Sequence, residues 1–215
     1  MYLVMLGAPG SGKGTVAKKL EENLNIVHIS SGDIFREHIR LQDERGKQIN
    51  EYVSKGELVP DEVTIGMIED RLEKSDAEKG AILDGFPRTE KQAIVLSEFL
   101  EKKGKKVDCA VELDIPDEVI IERLSMRRSC PKCNEIYNLK SKPPKRDGIC
   151  DKCGNEIVQR EDDNPETIKN RLQTYYNSSK ELINYYQNQN QLLKVKIDEN
   201  TTPEITLRKI LEHLK

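Results

Sequence analysis

Residues 7–15 read GAPGSGKGT and directly follow the apolar run YLVML at positions 2–6. A helical pattern begins near Gly12 or Lys13, so the order is strand, glycine-rich loop and helix. The glycines let the chain curl so that successive backbone N–H groups point inward, while the helix N-terminus and Lys13 add positive charge. Such a cradle binds anions, and we therefore predict that residues 7–15 hold the phosphates of a nucleotide.

The residue after the lysine departs from the usual motif. A serine or threonine hydroxyl normally follows the lysine and binds magnesium, but here Gly14 occupies that position and Thr15 comes one residue later. Asp84 is an alternative magnesium ligand, directly or through water, because it ends the apolar run 81–83. The carboxyl end of a parallel strand is where α/β proteins bind ligands. The other interpretation of Asp84 is a residue that starts a turn.

Length and composition limit the class of protein. A chain of 215 residues fits one α/β domain with insertions. Charged residues make up 34% and the net charge is −3, which argues against a general polyanion binder. We find no run of eighteen apolar residues and no secretory leader, so we expect a cytoplasmic protein without membrane insertion. Five cysteines in such a protein suggest metal binding more than disulfides.

Short apolar runs alternate with helical patterns along most of the chain. This alternation predicts an α/β fold with a five-stranded parallel sheet and helices on both faces. The expected strands are residues 3–6, 26–29, 81–84, 109–114 and 193–197. Prolines 116, 165 and 203 suit the first turns of helices. Residues 30–59 and 127–164 interrupt the alternation, and we interpret them as inserted subdomains.

Four of the five cysteines form two C-x-x-C pairs. Sixteen residues separate Cys130-Pro-Lys-Cys133 from Cys150-Asp-Lys-Cys153, which is a zinc signature. Four thiolates leave no open coordination position, so the metal is expected to be structural, with zinc and iron both compatible. Nearby lysines leave open a nucleic-acid-binding zinc ribbon, although no aromatic residues alternate with them. Cys109 is expected to be a buried strand residue.

Several charged residues have two interpretations. Taken individually, six arginines are expected to be surface charges, but beside a phosphate loop several become candidates for binding phosphoryl oxygens: Arg36, Arg88, Arg127, Arg128, Arg160 and Arg171. Ser30 is expected to cap a helix through Asp33. Residues 161–163, EDD, are interpreted as a solvated charge run with a capping role. The three histidines are given no functional role.

The whole chain resembles the long-type adenylate kinases with a zinc-bearing lid. The resemblance rests on residues 7–15, 29–33 (ISSGD), 84–89 (DGFPRT) with Gln92, 123–128 and 160–163. DGFPR is the most specific of these segments, and Gly14 is part of the family pattern. The resemblance implies a three-layer P-loop NTPase fold with a core of residues 1–29, 60–126 and 165–215. Residues 30–59 would be a helical AMP-binding subdomain, and residues 127–164 a zinc-ribbon-like lid.

The same resemblance implies the binding residues. ATP would contact Gly10, Ser11, Gly12, Lys13, Gly14, Thr15, Arg123, Arg127, Ile136, Tyr137 and the backbone near Glu199. AMP would contact Ser31, Arg36, Glu57, Leu58, Val59, Gly85, Phe86, Pro87, Arg88, Gln92, Arg160 and Arg171. The catalytic group would be Lys13, Arg36, Arg88, Arg127, Arg160, Arg171 and Asp84. Zinc would be held by Cys130, Cys133, Cys150 and Cys153.

The implied activity is reversible, in-line transfer of a phosphoryl group from Mg²⁺·ATP to AMP, giving two ADP. The expected partners are ATP, AMP and ADP, without nucleic acid or membrane, and the expected state is a monomer. A kinase for UMP or CMP is the nearest alternative, but Gln92 and the long zinc insert favour AMP. A GTPase-like switch would need an Asn-Lys-x-Asp motif, which the sequence lacks.

Overall fold

The structure, a computed structural model, describes residues 1–198 and 200–215. Its central sheet is parallel and has five strands in the order β2-β3-β1-β4-β7. These strands are β1 (Tyr2–Gly7), β2 (Val27–Ser30), β3 (Ala81–Asp84), β4 (Cys109–Asp114) and β7 (Leu192–Lys196). The predicted sheet is confirmed, and the predicted strand ends differ from the observed ones by about one residue.

Helices follow the strands and cover the sheet. Within the described residues they are α1 (Lys13–Leu24), α2 (Ser31–Leu41), α3 (Glu44–Val53), α4 (Asp61–Leu72), α5 (Glu90–Glu101), α6 (Asp117–Ser125), α7 (Pro165–Asn188) and α8 (Pro203–His213). Pro165 and Pro203 occupy the first helical turn as expected. Pro116 instead precedes the first residue of α6, in an extended conformation. None of the described helices is long and apolar enough to cross a bilayer.

Two apolar clusters lie on the two faces of the sheet and make the fold three-layered. One cluster joins the sheet to α1, α6 and α8 through residues such as Leu20, Leu124 and Ile210. The other joins it to α4 and α5 through residues such as Ile68 and Leu96. Helix α7 contributes to both, because its first half packs in the former cluster and its second half in the latter. Both faces are therefore buried, as the continuous apolar strands require.

Parallel pairing brings the carboxyl ends of three strands to one edge. Met5 of β1 and Ser30 of β2 both pair with Asp84 of β3. The chain leaves β1 into residues 8–12, leaves β2 into α2, and leaves β3 into residues 85–89. The segments singled out in the sequence thus emerge side by side at this edge.

The two interrupting segments have small apolar clusters of their own. Helices α2 and α3 pack around Phe35 and Ile49, together with Val59 and with Met67 of α4. Residues 127–158, called the cysteine ribbon below, contain the antiparallel strands β5 (Arg127–Ser129) and β6 (Ile136–Asn138). The ribbon's cluster consists of cysteines with Tyr137 and Ile157.

Candidate active site and metal centre

The glycine-rich loop, residues 7–15, wraps around the side chain of Lys13. The Lys13 ammonium donates to the carbonyl oxygens of Gly7 (2.8 Å) and Ala8 (2.9 Å). Gly10 has a φ of +82°, and a Cβ added there would lie 2.8 Å from Leu124 Cγ. A side chain at position 10 would therefore strain the turn and collide with α6. Burial, together with Arg88 and Arg171 but opposed by Asp84, lowers the pKa of Lys13 to about 8.

Gly14 leaves space for the carboxylate of Asp84. A Cβ at position 14 would lie only 3.2 Å from Asp84 Oδ2. The carboxylate therefore stands beside the position where the usual motif carries its magnesium-binding hydroxyl. Burial acts to raise the pKa of Asp84, but the opposing effects of His28 and Lys13 prevail, and its pKa lies below the ordinary value. An ionised carboxylate at this place fits the oxygen ligands that Mg²⁺ prefers.

His28 lies beside Asp84, a contact that sequence reasoning missed. Its Nε2 lies 3.5 Å from Asp84 Oδ2, and the imidazole is only 8% exposed. The sequence holds no local signal for this pair, because 56 positions separate the two residues. Their proximity follows from the pairing of β2 with β3, which aligns His28 with Ile82, two residues before Asp84.

The predicted cations converge, although they come from different segments of the chain. The charges of Arg88 and Arg171 both lower the pKa of Lys13, and the charge of Arg36 lowers the pKa values of Arg160 and Arg171. Burial, with Arg36 and Arg127, lowers the pKa of Arg160 to about 9. Such mutual repulsion among cations favours binding of a polyanion, and planar guanidinium groups suit phosphoryl oxygens.

In the acidic run 161–163, Glu161 is exposed as predicted, but the interpretation as a solvated charge run was wrong for Asp162 and Asp163. The Asp163 side chain is fully buried and accepts two hydrogen bonds from Arg127, at 2.5 and 2.7 Å. Arg171 Nη1 lies 2.7 Å from Asp162 and 3.2 Å from Asp163. The cap of α7 is Asn164, which accepts from the Thr167 N–H. The two aspartates therefore fix the orientation of Arg127 and Arg171.

The residues predicted to contact AMP lie around α2 and the end of β3. The Ser31 hydroxyl donates to the carbonyl of Gly85 at 2.8 Å, and Arg36 pairs with Asp33 at 2.5 Å. Ser30 caps α2 by accepting from the Asp33 N–H, as predicted. Arg88 donates to the Gly85 carbonyl at 2.9 Å. Nearby segments contain buried Phe86, Pro87 and Gln92, and the loop of Glu57, Leu58 and Val59.

The residues predicted to contact ATP are divided between the core and the cysteine ribbon. Arg123 extends along the glycine-rich loop, where its Nη1 donates to the Ser11 carbonyl at 3.4 Å. Ile136 is half-buried on β6, whereas the Tyr137 ring is buried inside the ribbon, so its side chain faces the cysteines. Glu199 lies outside the described residues.

The four predicted metal ligands come together. The Sγ atoms of Cys130, Cys133, Cys150 and Cys153 all lie within 4.8 Å of one another; Cys130 and Cys153 are 3.4 Å apart, and Cys133 and Cys150 are 3.5 Å apart. Tetrahedral bonds of about 2.3 Å to zinc separate sulfur atoms by about 3.8 Å, so the arrangement fits a closed four-thiolate site. The Tyr137 hydroxyl donates to Cys150 Sγ at 3.5 Å and accepts from the Asp151 N–H at 2.7 Å.

Both cysteine pairs use the same local backbone geometry. The Cys130 N–H donates to the Glu135 carbonyl and the Cys150 N–H donates to the Asn155 carbonyl, at 2.9 and 2.8 Å. Asn134 and Gly154, each four residues after the first cysteine of its pair, have φ values of +55° and +71°. Two matching turns thus present their thiols to one point, which is the geometry of a structural metal centre.

The chain is similar to known proteins along most of its length. Residues 5–191 match the family model described as adenylate kinase. An adenylate kinase from Thermotoga neapolitana is 50% identical over 186 residues, covering 86% of this chain and 84% of the relative. Those from Oceanobacillus iheyensis and a Thermoanaerobacter species are 46% and 47% identical, covering 92% and 95% of this chain, and 92% and 93% of the relatives.

Proposed function

The chain belongs to the adenylate kinase family, and from that premise we propose how its residues carry out ATP:AMP phosphotransfer. The family reaction converts Mg²⁺·ATP and AMP reversibly into two ADP. The convergence of Lys13 and five arginines at the carboxyl edge of a parallel sheet is the observation that carries the proposal. The anionic phosphates of ATP and AMP repel each other and need such a concentration of positive charge in order to approach.

Each nucleotide would have its own side of the cluster. The glycine-rich loop, with Lys13 and Arg123, would bind the phosphates of ATP, while Ser31, Arg36, Arg88 and Gln92 would bind AMP. Arg127, Arg160 and Arg171 would contact the transferred group between them. Asp162 and Asp163 already orient two of these arginine side chains, so few side-chain changes would be needed once residues 127–164 have closed over the site.

Phosphoryl transfer at this site would need no covalent intermediate and no general base. The phosphate of AMP is itself an anionic nucleophile, so the residues have only to align donor and acceptor, exclude water and stabilise charge. We propose that residues 30–59 and 127–164 move as subdomains and close over the two nucleotides. This closure would prevent hydrolysis of ATP, and reopening would limit turnover.

Magnesium would be held by the nucleotide phosphates and by water molecules that Asp84 binds. The depressed pKa of the Asp84 carboxyl and its position next to Gly14 support this role. Bound magnesium supplies charge neutralisation at the transferred phosphoryl group. Zinc would fill the four-cysteine site and stabilise the ribbon, whose apolar cluster is too small to fold it alone.

A coupled assay with Mg²⁺·ATP and each of AMP, CMP, UMP and GMP tests this function directly. We expect AMP to be the preferred acceptor and the enzyme to act as a cytoplasmic monomer. A higher kcat/KM for CMP or UMP would overturn the assignment in favour of a pyrimidine monophosphate kinase. Light scattering on the same preparation measures the quaternary state.

A further inference from the structure

The side-chain amide of Gln92 is held between one hydrogen-bond donor and one hydrogen-bond acceptor. Its Oε1 accepts from the backbone N–H of Arg88 at 2.7 Å, and its Nε2 donates to Asp61 Oδ1 at 2.6 Å. The residue is only 1% exposed, so an incoming base can meet only the edge of the amide that these partners leave open. Each amide atom keeps one further position there, a lone pair on Oε1 and a second N–H on Nε2.

Chemistry determines the orientation of this amide. A backbone N–H can only donate and an ionised carboxylate can only accept. Turning the amide over would point its NH₂ at the Arg88 N–H and its oxygen at the Asp61 carboxylate, so two hydrogen bonds would be replaced by two repulsive contacts. Burial makes this loss larger, because water cannot replace the missing partners.

The fixed orientation has a consequence for base recognition. An acceptor beside a donor complements the amino group and N1 of a 6-aminopurine, whereas a 6-oxopurine presents an oxygen acceptor and an N1–H donor. An amide that is free to turn would match either base. On the basis of the proposed contact between Gln92 and the AMP base, we propose that Asp61 is a specificity-determining positioning residue. It holds the Gln92 amide in the orientation that accepts adenine and rejects hypoxanthine or guanine.

Asp61 is itself held in place by its position in α4 and by a neighbouring side chain. It is the first residue of α4, and the Thr89 hydroxyl lies 3.4 and 3.5 Å from its two carboxylate oxygens. Thr89 in turn caps α5 by accepting from the backbone N–H of Gln92. The starts of α4 and α5 are thus joined through Asp61, which makes a purely structural role the competing explanation.

The test compares kcat/KM for AMP and for inosine monophosphate, with Mg²⁺·ATP as donor. Asp61→Asn keeps the shape but can face Gln92 with either a donor or an acceptor, so only the Arg88 N–H would still oppose turning of the amide. We expect the AMP:IMP ratio of kcat/KM to fall at least about tenfold, which corresponds to losing one hydrogen bond to a charged group. Glu62→Gln is the matched control, because it removes the same charge from an exposed neighbour in the same helical turn. It should leave the ratio unchanged.

Two further variants separate selectivity from stability. Asp61→Glu keeps an acceptor that cannot donate and should retain more of the AMP preference than Asp61→Asn. If Asp61→Asn does not fold, Asp61→Ser is assayed in its place, with melting temperatures measured for every variant. A wild-type ratio in the Asn or Ser variant would overturn the proposal and leave Asp61 a structural link. Wild-type protein that phosphorylates neither substrate would instead refute the proposed function.

Discussion

The glycine-rich loop and the cysteine ribbon both use tight backbone turns to bring polar groups to one point, but they do so for different ends. The loop presents donors and positive charge, and its lysine is held by the carbonyls of Gly7 and Ala8. The ribbon presents four thiols within 4.8 Å, enough to complete the coordination of one metal ion. The loop is thus suited to a ligand that exchanges, and the ribbon to a ligand that stays.

The energetic consequences also differ. Lys13 is a half-buried charge whose lowered pKa reflects an environment that disfavours it, so it is placed for binding and not for folding. The ribbon has few buried apolar residues, and metal binding would supply much of its folding free energy. Changes in the loop should therefore affect turnover, and changes in the ribbon should affect stability.

Lys13→Met is expected to have the largest effect on activity. Removing the charge should lower kcat by about a thousandfold, because no neighbouring group can replace it at the loop. The melting temperature should stay the same or rise, since the substitution removes a desolvated ammonium. The control is Lys19→Met, on the same helix as Lys13, which breaks an ion pair with Glu204 of α8. Comparable turnover in the two variants would contradict the assignment of the loop.

Arg88→Ala should have the second-largest effect on activity, a fall of about a hundredfold in kcat/KM for AMP. Arg88 suits this test because its guanidinium donates to the Gly85 carbonyl, so that its removal leaves no buried carboxylate unpaired among the described residues. Arg45→Ala, which removes an exposed arginine 3.9 Å from Asp70, is the matched control. Steady-state kinetics with varied AMP measures both. A wild-type kcat/KM in Arg88→Ala would remove this residue from the site.

A pH profile should give a smaller effect. The pKa of Lys13 is lowered to about 8, so above that pH the free enzyme loses its ammonium charge. We expect kcat/KM for Mg²⁺·ATP to fall by up to about tenfold per pH unit.

The contribution of Lys13 to the free energy of unfolding changes with pH in the opposite direction. Between pH 8 and its ordinary value of 10.5 the unfolded chain binds more protons, so stability should rise with pH. A value of kcat/KM that stays constant up to pH 9.5 would contradict the lowered pKa of Lys13.

Replacing the four ribbon cysteines by serine should change turnover least. We expect kcat within about tenfold of the wild type, a lower melting temperature and loss of the metal. Native mass spectrometry should find one zinc ion per wild-type chain. It should also find one in Cys109→Ala, because Cys109 is buried in β4 and apart from the cluster. A metal-free wild-type chain, or iron in place of zinc, would overturn the zinc prediction.

Much of the architecture could be predicted because it depends on short-range patterns. Each of several features is encoded by a few neighbouring residues in the sequence: the apolar strands, the glycine-rich loop, the cap at Ser30 and the two C-x-x-C pairs. Asp162 and Asp163 were misinterpreted because the run 161–163 resembles an exposed helix start, while their burial depends on Arg127 and Arg171 from other segments. His28 was missed for the same reason, since its relation to Asp84 exists only across the sheet.

The sequence by itself determined the class of fold, the family and the two sets of ligating groups, because the spacing of glycines and cysteines restricts which backbone turns can form. Only the tertiary structure decided which charges neutralise one another and which stand free for a ligand. Asp162 and Asp163 hold arginines, Asp84 meets His28 beside Gly14, and Asp61 fixes the amide of Gln92. These relations join residues on different elements, and they depend on distances of a few ångströms that packing sets.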